Sequence, residues 1–213
     1  MTEADVRAAV AAAARAMSET GLSPGLSGNV SARWKKGMLI TPSALPYDQM
    51  TAADIVAVAA DGKVADPKQK PSTEWRFHLA ALDARPDKHA VVHTHSPNAT
   101  SLACAGKPIP AFHYRVAVAG GADIPLVPYA LFGTEILAEH VAAGLAERDA
   151  CLLANHGQVT LGTTPDAALD LAREVETLAE QYVNVLQIGK PRILNETAMT
   201  KVLDQFKDYG RSD

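Results

Sequence analysis

AVVHTHS, residues 90–96, is an apolar run that ends in two histidines one residue apart. Side chains alternate between the two faces of a strand, so His93 and His95 would project from one face with their Cα atoms roughly 7 Å apart. Two imidazoles at that spacing can chelate one divalent ion. Taken alone the pattern carries modest weight, because a strand histidine is more often a hydrogen-bonded core or surface residue than a metal ligand.

A second short apolar run, CLLANHG at residues 151–157, also ends in a histidine, His156. Gly157 would allow a tight reversal into the strand that follows. Two buried strands that deliver His93, His95 and His156 to one end of a sheet would provide three ligands and one open position, the arrangement of a catalytic zinc site. We therefore favour a metal site over three structural histidines.

The length and charge of the chain limit its class. Its 213 residues fit one large domain, and no change of composition marks a linker, so we expect a single domain over residues 1–213. The net charge is −4 and the pI is about 6.0, without a long basic run. These values argue against nucleic acid or an anionic membrane as the main partner. A small-molecule ligand is the expectation.

The N-terminal segment and the cysteines favour a cytoplasmic location. Residues 2–17 are rich in alanine but carry four charged side chains, which predicts an amphipathic helix and not a signal peptide. No apolar run reaches the roughly 18 residues that a membrane span requires. Cys104 and Cys151 lie among apolar neighbours, so we predict two buried free thiols in a reducing compartment.

Apolar periodicity and turn signals predict an α/β sandwich with a largely antiparallel central sheet flanked by helices. We expect one helix to begin at the Ser72–Thr73 turn and run to about residue 85. The other predicted helices are residues 3–20, 98–104, 135–146 and 165–188, and the predicted strands are 30–34, 38–41, 55–59, 90–95 and the two arms of the His156 hairpin. Of the remaining histidines, we place His78 and His140 inside helices and His89 and His113 at strand starts, in structural roles.

Glu74 lies at the start of the Ser72–Thr73 helix, where a carboxylate is stabilised by unpaired amides and the helix dipole. Alone, this cap role is the favoured interpretation. A metal site that makes or breaks bonds beside a carbonyl, however, needs a nearby acid or base, and a carboxylate in a turn can serve. Other acidic residues are expected to be solvated surface charge, namely Asp83, Asp87, Asp123, Glu174 and Glu176.

Three turns rich in glycine or hydroxyl groups, residues 27–29, 43–44 and 72–73, could bind a phosphate through backbone amides and side-chain oxygens. Neither a P-loop nor a dinucleotide fingerprint is present, so ATP and NAD are not indicated.

The chain resembles the class II aldolase/adducin family, and within it the bacterial L-fuculose-1-phosphate aldolase type. The similarity covers nearly the whole chain and is far more specific than the paired histidines. It is carried by residues 28–31, 39–42, 72–78, 91–95, 109–114, 128–134, 155–157 and 206–210.

The resemblance implies a role for each matching position. His93, His95 and His156 would hold one Zn²⁺ per chain, with Mn²⁺ or Co²⁺ left open, and Glu74 would be the acid/base. The phosphate of the substrate would lie against Gly28, Asn29, Ser43, Ala44, Ser72 and Thr73. The aldehyde end would meet Tyr114 from a neighbouring subunit, Tyr209, and an apolar wall of Phe132 and Phe206. The family implies a homotetramer with its sites at subunit interfaces.

The implied reaction is cleavage of a ketose 1-phosphate to dihydroxyacetone phosphate and a small aldehyde. Leu26 stands where the fuculose type has a hydroxyl residue, and Ser43-Ala44 replaces a Thr-Gly pair. The sugar therefore stays open among fuculose, 5-deoxyribulose and 5-methylthioribulose 1-phosphates, the last of which would connect the enzyme to methionine salvage. A sugar-phosphate epimerase or decarboxylase is the alternative. A non-catalytic, adducin-head-like interaction module is a further alternative, against which the three histidines and Glu74 argue.

Overall fold

The computed structural model describes residues 1–66 and 68–208, and a seven-stranded sheet forms its centre. The strands are β1 (Asn29–Trp34), β2 (Gly37–Ile40), β3 (Val56–Val58), β4 (Ala90–Thr94), β5 (Leu126–Val127), β6 (Ala150–Leu153) and β7 (Gly157–Gly162). Their order across the sheet is β3-β2-β1-β4-β7-β6-β5. Within the described ranges, neighbouring strands pair antiparallel except for β5 and β6. The predicted, largely antiparallel sheet is confirmed.

Helices cover both faces of this sheet. They are α1 (Glu3–Glu19), α2 (Trp75–Ala84), α3 (Pro97–Cys104), α4 (Glu135–Leu145), α5 (Pro165–Ile188) and α6 (Glu196–Asp208). The alternation of side chains along β4 shows why two layers form: Val92 faces a core with α1 and α5, while Val91 faces a second core with α2 and α4. All five residues of β4 are buried, and its first three, AVV, form the apolar run that is typical of a strand covered on both faces.

Several predicted helix boundaries are confirmed by their caps. Thr2 and Asp5 form a capping box at the start of α1. Thr134 accepts from the backbone of Leu137, and Thr164 caps α5 ahead of its N1 proline. Each such cap typically contributes about 1 kcal/mol to helix stability.

Two predicted elements are corrected. Helix α2 begins at Trp75 and not at the Ser72–Thr73 turn, because the Glu74 backbone, at φ −97° and ψ 11°, occupies the N-cap position. No strand begins at His113. Its side chain instead accepts from the backbone of Arg115 and caps a 3-10 helix, Tyr114–Ala119. Helix α6 was not predicted, although its apolar residues at 199, 202, 203 and 206 carry a helical spacing.

Two predictions about burial are also corrected, one for a cysteine and one for a glutamate. Cys104 is exposed, whereas Cys151 is buried and its burial raises the pKa of the thiol to about 12. Glu176 is not a free surface charge, since it accepts hydrogen bonds from the backbone amides of Asn98 and Ala99 at the start of α3. The acidic group at this helix N-terminus compensates amides that lack intrahelical partners.

Among the described residues, no helix is both long and apolar enough to cross a membrane.

Candidate active site

The three histidines meet at one edge of the sheet. Both β4 and β6 run antiparallel to β7, which lies between them, so their C-terminal ends share that edge. His93 lies within β4, His95 follows its end, and His156 lies in the turn from β6 to β7. One ring nitrogen from each residue lies within 4.8 Å of the other two. The cluster could therefore hold a metal ion.

The hydrogen bonding of the cluster leaves lone pairs for a cation. His93 Nδ1 donates to the Gln158 carbonyl at 2.8 Å, so Nε2 is the free acceptor of a neutral ring. That atom lies 3.0 Å from His95 Nε2. Burial lowers the pKa of His93 to about 3 and also lowers the pKa of His95. Neutral imidazoles are the form that binds metals, and no cysteine belongs to the cluster, so the donor set fits a divalent ion such as Zn²⁺.

The turn that carries His156 does not use Gly157 as predicted. The left-handed residue is Asn155, with φ 56°, a conformation that asparagine tolerates. Gly157 is required for close approach instead: a Cβ there would lie 2.4 Å from the Thr94 carbonyl oxygen and 3.0 Å from His95 Cδ2. The absence of a side chain at 157 thus lets the turn pack against the histidines on β4.

Glu74 faces the histidines and not the helix that it precedes. Its side chain makes no capping hydrogen bond with α2, which contradicts the cap interpretation. Oε1 lies 3.1 Å from His156 Nε2, and Oε2 lies 3.3 Å from His93 Nε2. Asn29 donates to Oε2 from Nδ2 at 2.9 Å. The carboxylate lies within reach of any ion that the histidines hold.

The surroundings of Glu74 favour its ionised form. Burial would raise the pKa of the carboxyl, but the adjacent imidazoles of His93 and His156 and the hydrogen bond from Asn29 outweigh burial and hold that pKa below its usual range. At neutral pH the group is therefore a carboxylate, able to accept a proton before it donates one.

A cavity of about 380 Å³ opens beside the cluster. His95, His156 and Glu74 lie in its wall together with most of the predicted substrate residues, namely Gly28, Asn29, Ser43, Ala44, Ser72, Thr73 and Phe132. The residues at this wall that sequence reasoning did not assign to the site include Tyr129 and Asn155. Leu26, identified from the sequence as a departure from the fuculose type, also lines the cavity.

The glycine and hydroxyl turns are held in unusual backbone conformations. Gly28 has φ 83°, and a Cβ there would lie 2.3 Å from Ser23 Oγ, so this position accepts only glycine without a shift. Ala44 has φ 60°, where the fuculose-type pattern has glycine. Tyr47, which sequence reasoning missed, is buried beneath the first turn with its hydroxyl 2.9 Å from the Ser27 carbonyl and 2.6 Å from that of Gly28. No local pattern marked it, because its partners lie about twenty residues earlier in the chain.

Two of the residues that the resemblance assigns to the aldehyde end, Tyr114 and Phe206, do not line this cavity. Tyr114 lies on the 3-10 helix and is half exposed. Phe206, on α6, packs against a small cluster that includes Ala117 and Met199. Tyr209 lies outside the described residues. Among the described residues, Phe132 is therefore the one aldehyde-end aromatic group of the resemblance that lines the cavity.

Comparison with known proteins gives a consistent result. The sequence profile described as "Class II Aldolase and Adducin N-terminal domain" matches residues 8–183. The chain is 52% identical over 198 residues to a 5-methylthioribulose-1-phosphate/5-deoxyribulose-1-phosphate aldolase of Rhodospirillum rubrum, covering 93% of this chain and 89% of that protein. It is 46% identical over 195 residues to an L-fuculose phosphate aldolase of Escherichia coli K12, covering 91% and 90%.

Among solved structures, an L-fuculose 1-phosphate aldolase matches with a TM-score of 0.91 and 36% identity, over 95% of this chain and 96% of that chain. The match spans both helical layers and the central sheet. The chain belongs to the class II aldolase and adducin N-terminal domain family.

Proposed function

We propose that this protein is a metal-dependent aldolase that cleaves a ketose 1-phosphate to dihydroxyacetone phosphate and a small aldehyde. One observation carries the proposal: the Glu74 carboxylate and two members of the histidine cluster, His95 and His156, line the same cavity as three turns suited to a phosphate. The names of the Rhodospirillum rubrum and Escherichia coli relatives support this substrate class.

The described residues that would hold the phosphate end of the substrate are uncharged donors. No lysine or arginine lies among the described residues of the cavity wall. The Ser72 and Thr73 hydroxyls and the backbone amides of the glycine turn are the available donors, while the Ser43 hydroxyl, which donates to the Pro71 carbonyl, would have to turn to reach the phosphate. Oriented amides of this kind form anion-binding sites. Tyr47 contributes by holding the carbonyls of Ser27 and Gly28 beneath the turn.

The metal site is assigned to His93, His95 and His156, with one Zn²⁺ per chain. A divalent cation at this position supplies Lewis-acid stabilisation of negative charge that develops on the substrate oxygens. Since the donors are three imidazoles, Mn²⁺ or Co²⁺ would also be accepted.

Glu74 moves the proton of the reaction. As a carboxylate it accepts the proton of the C4 hydroxyl, the C3–C4 bond breaks, and the C4 oxygen becomes the carbonyl of the aldehyde. The electron pair of the broken bond passes to C3 and the C2 carbonyl as an enediolate. Glu74 then returns its proton to C3, which yields dihydroxyacetone phosphate and leaves the carboxylate unchanged. General acid/base transfer of this kind typically contributes 10²- to 10⁴-fold in rate.

We also propose a homotetramer in which Tyr114 and Tyr209 complete the aldehyde end. Tyr114 lies outside the cavity of its own chain, and large apolar side chains at and beside the cavity, Tyr129, Leu131, Phe132 and Ile136, are more than half exposed. A neighbouring subunit would cover this surface. A cytoplasmic location and a role in methionine salvage complete the proposal, the latter from the relative named for 5-methylthioribulose 1-phosphate.

A coupled assay for dihydroxyacetone phosphate across a panel of ketose 1-phosphates tests the function. Release of this product from at least one ketose is the expected result. An epimerase or decarboxylase would convert substrate without releasing it, and an interaction module would convert none. Either of these outcomes would overturn the proposal.

A further inference from the structure

Four buried polar side chains form a chain of hydrogen bonds between β1 and α2 that ends at Glu74. They are Ser31, His78, Asn29 and Glu74 itself. Ser31 Oγ lies 2.7 Å from His78 Nδ1, and His78 Nε2 lies 2.5 Å from Asn29 Oδ1. Asn29 Nδ2 in turn donates to Glu74 Oε2 at 2.9 Å. Ser31 and His78 are fully buried, and Asn29 is 3% exposed. Water therefore has little access to these groups, and a bond lost from the chain would leave a buried polar atom without a partner.

The bond from Asn29 to Glu74 sets the direction of the other bonds in this chain. Asn29 donates from Nδ2 to Glu74 Oε2, so its carbonyl oxygen faces His78. That oxygen also only accepts, so His78 Nε2 carries a proton. Burial lowers the pKa of His78 to about 3, which keeps the ring neutral. Nδ1 is then the acceptor for the Ser31 hydroxyl.

The reversed arrangement is unfavourable. A flipped Asn29 would place its carbonyl oxygen against Glu74 Oε2 and its NH₂ against the proton on His78 Nε2. Both contacts would be repulsive in a site with little solvent. His78 lies four residues after Glu74, on the first turn of α2, so the helix that follows the carboxylate also carries the ring that orients its partner.

We propose that His78 is a positioning residue for the acid/base carboxylate, an inference that rests on the proposed function. Its Nε2–H fixes the amide orientation of Asn29, and Asn29 holds Oε2 of Glu74. The other oxygen, Oε1, stays directed towards His156 and the histidine cluster, 3.1 Å from Nε2 of that residue. Without His78 the amide can rotate, and the carboxylate loses the bond that sets its angle to the reacting carbon.

Two substitutions at the same position test this role. His78→Phe keeps an aromatic ring but removes the donor to Asn29, whereas the amide nitrogen of His78→Gln can take the place of Nε2 and donate. With metal content matched, we expect His78→Phe to lower kcat at least tenfold and His78→Gln to recover most of that loss. Two variants with equal kcat, or a His78→Phe enzyme within threefold of wild type, would overturn the proposal.

A double-mutant comparison tests whether His78 acts through Asn29. If it does, adding His78→Phe to Asn29→Ala costs no further kcat, because the group that His78 orients is already gone. Full additivity of the two losses would overturn the proposal. Leu82→Ala is the matched control: it destabilises α2 from a buried position in the apolar core and should leave kcat near wild type. A loss in the control equal to that of His78→Phe would mean that helix stability alone explains the effect.

The wild-type protein provides a test that does not depend on a variant folding. Nitrogen-15 NMR of histidine-labelled, metal-loaded protein distinguishes the two neutral tautomers, and we expect His78 to carry its proton on Nε2. A proton on Nδ1 would overturn the proposal. Failure of the proposed function would appear in the wild type itself, as no dihydroxyacetone phosphate from any ketose 1-phosphate. Failure of this inference would appear in an enzyme that does release dihydroxyacetone phosphate, either as a proton on Nδ1 of His78 or as a His78→Phe variant that keeps its kcat.

Discussion

Glu74 Oε1 lies 3.1 Å from His156 Nε2, although 82 positions separate the two residues in the chain. This contact joins the turn before α2 to the turn between β6 and β7. The Glu74 side chain therefore points towards the histidines and makes no hydrogen bond with the first amides of α2, as a helix cap would. A carboxylate held against a cluster of imidazoles that could bind a metal has a different chemical role from a helix cap, and the two roles predict different consequences of substitution.

Glu74→Gln separates these roles. A cap contributes only about 0.3 to 1 kcal/mol, mostly to stability, while a positioned acid/base contributes roughly 3 to 5 kcal/mol to lowering the barrier. We expect the variant to keep its metal and to melt within a few degrees of wild type, but to lose at least about a hundredfold in kcat. Turnover within threefold of wild type would show that the proton comes from elsewhere.

His95→Ala tests the metal site. Elemental analysis of the wild type should find about one divalent ion per chain, since three imidazoles form one site. The variant should lose it, because two remaining histidines hold a divalent ion weakly. His140→Ala is the control: this partly buried histidine on α4 lies outside the cluster, with Nδ1 3.1 Å from the Pro128 carbonyl oxygen, and its loss should leave occupancy unchanged. Full occupancy in His95→Ala would refute the ligand set.

Gly157→Ala tests the close approach of the His156 turn. The added Cβ would meet the Thr94 carbonyl oxygen and the His95 ring, so the turn must shift away from β4. We expect a loss of about 1 to 3 kcal/mol in the free energy of unfolding and weaker metal binding, measured by denaturation and by competition with a chelator. Gly189→Ala, which has no heavy atom within 4 Å of its added Cβ, is the matched control. If the two variants lost the same unfolding free energy and the same metal affinity, the packing argument would be contradicted.

The substrate preference follows from the apolar groups at the cavity. Of the two phenylalanines that the resemblance assigns to the aldehyde end, Phe132 lines the cavity, while Phe206 packs against α6 and the 3-10 helix. Ketose 1-phosphates that end in a methyl or methylthio group should show a higher kcat/KM than those that end in a hydroxymethyl group, and Phe132→Ser should narrow the difference. One methylene-sized apolar contact is worth about 1 to 3 kcal/mol, so the expected ratio is tenfold or more. A preference for the hydroxymethyl substrate would contradict the prediction.

Tyr114 provides the test of assembly. Light scattering should report a tetramer, and Tyr114→Phe and Glu74→Gln should each be poorly active alone. If Tyr114 acts on a neighbouring site, each site takes Glu74 from one subunit and Tyr114 from another. In tetramers assembled from equal amounts of the two variants, about a quarter of the sites then have both native groups, so we expect part of the activity to return. An active monomer at assay concentration, or a mixture no more active than its components, would contradict shared sites.

Much of the fold could be predicted from neighbours in the sequence. The capping box at Thr2, the Thr164-Pro165 start of α5 and the buried run that ends at His93 are local patterns, and local hydrogen bonds and alternation of side chains decide them. The strand period of two also predicted that His93 and His95 lie on one side, and their rings do meet, although β4 ends at Thr94, one residue before His95. Helix α6 shows the limit of this reasoning. Its few apolar residues have a helical spacing, but most of its residues are polar, so the pattern did not predict a helix.

The sequence by itself determined which side chains can bind a metal and which turns can accept a phosphate. Tertiary structure alone decided which of them meet. The order β4-β7-β6 brings His156 beside His93, and the packing of α2 against the sheet brings His78 and Asn29 behind Glu74. Tyr47 acts on a turn twenty residues away for the same reason. Contacts between distant segments depend on strand order and core packing, which no short window of residues contains.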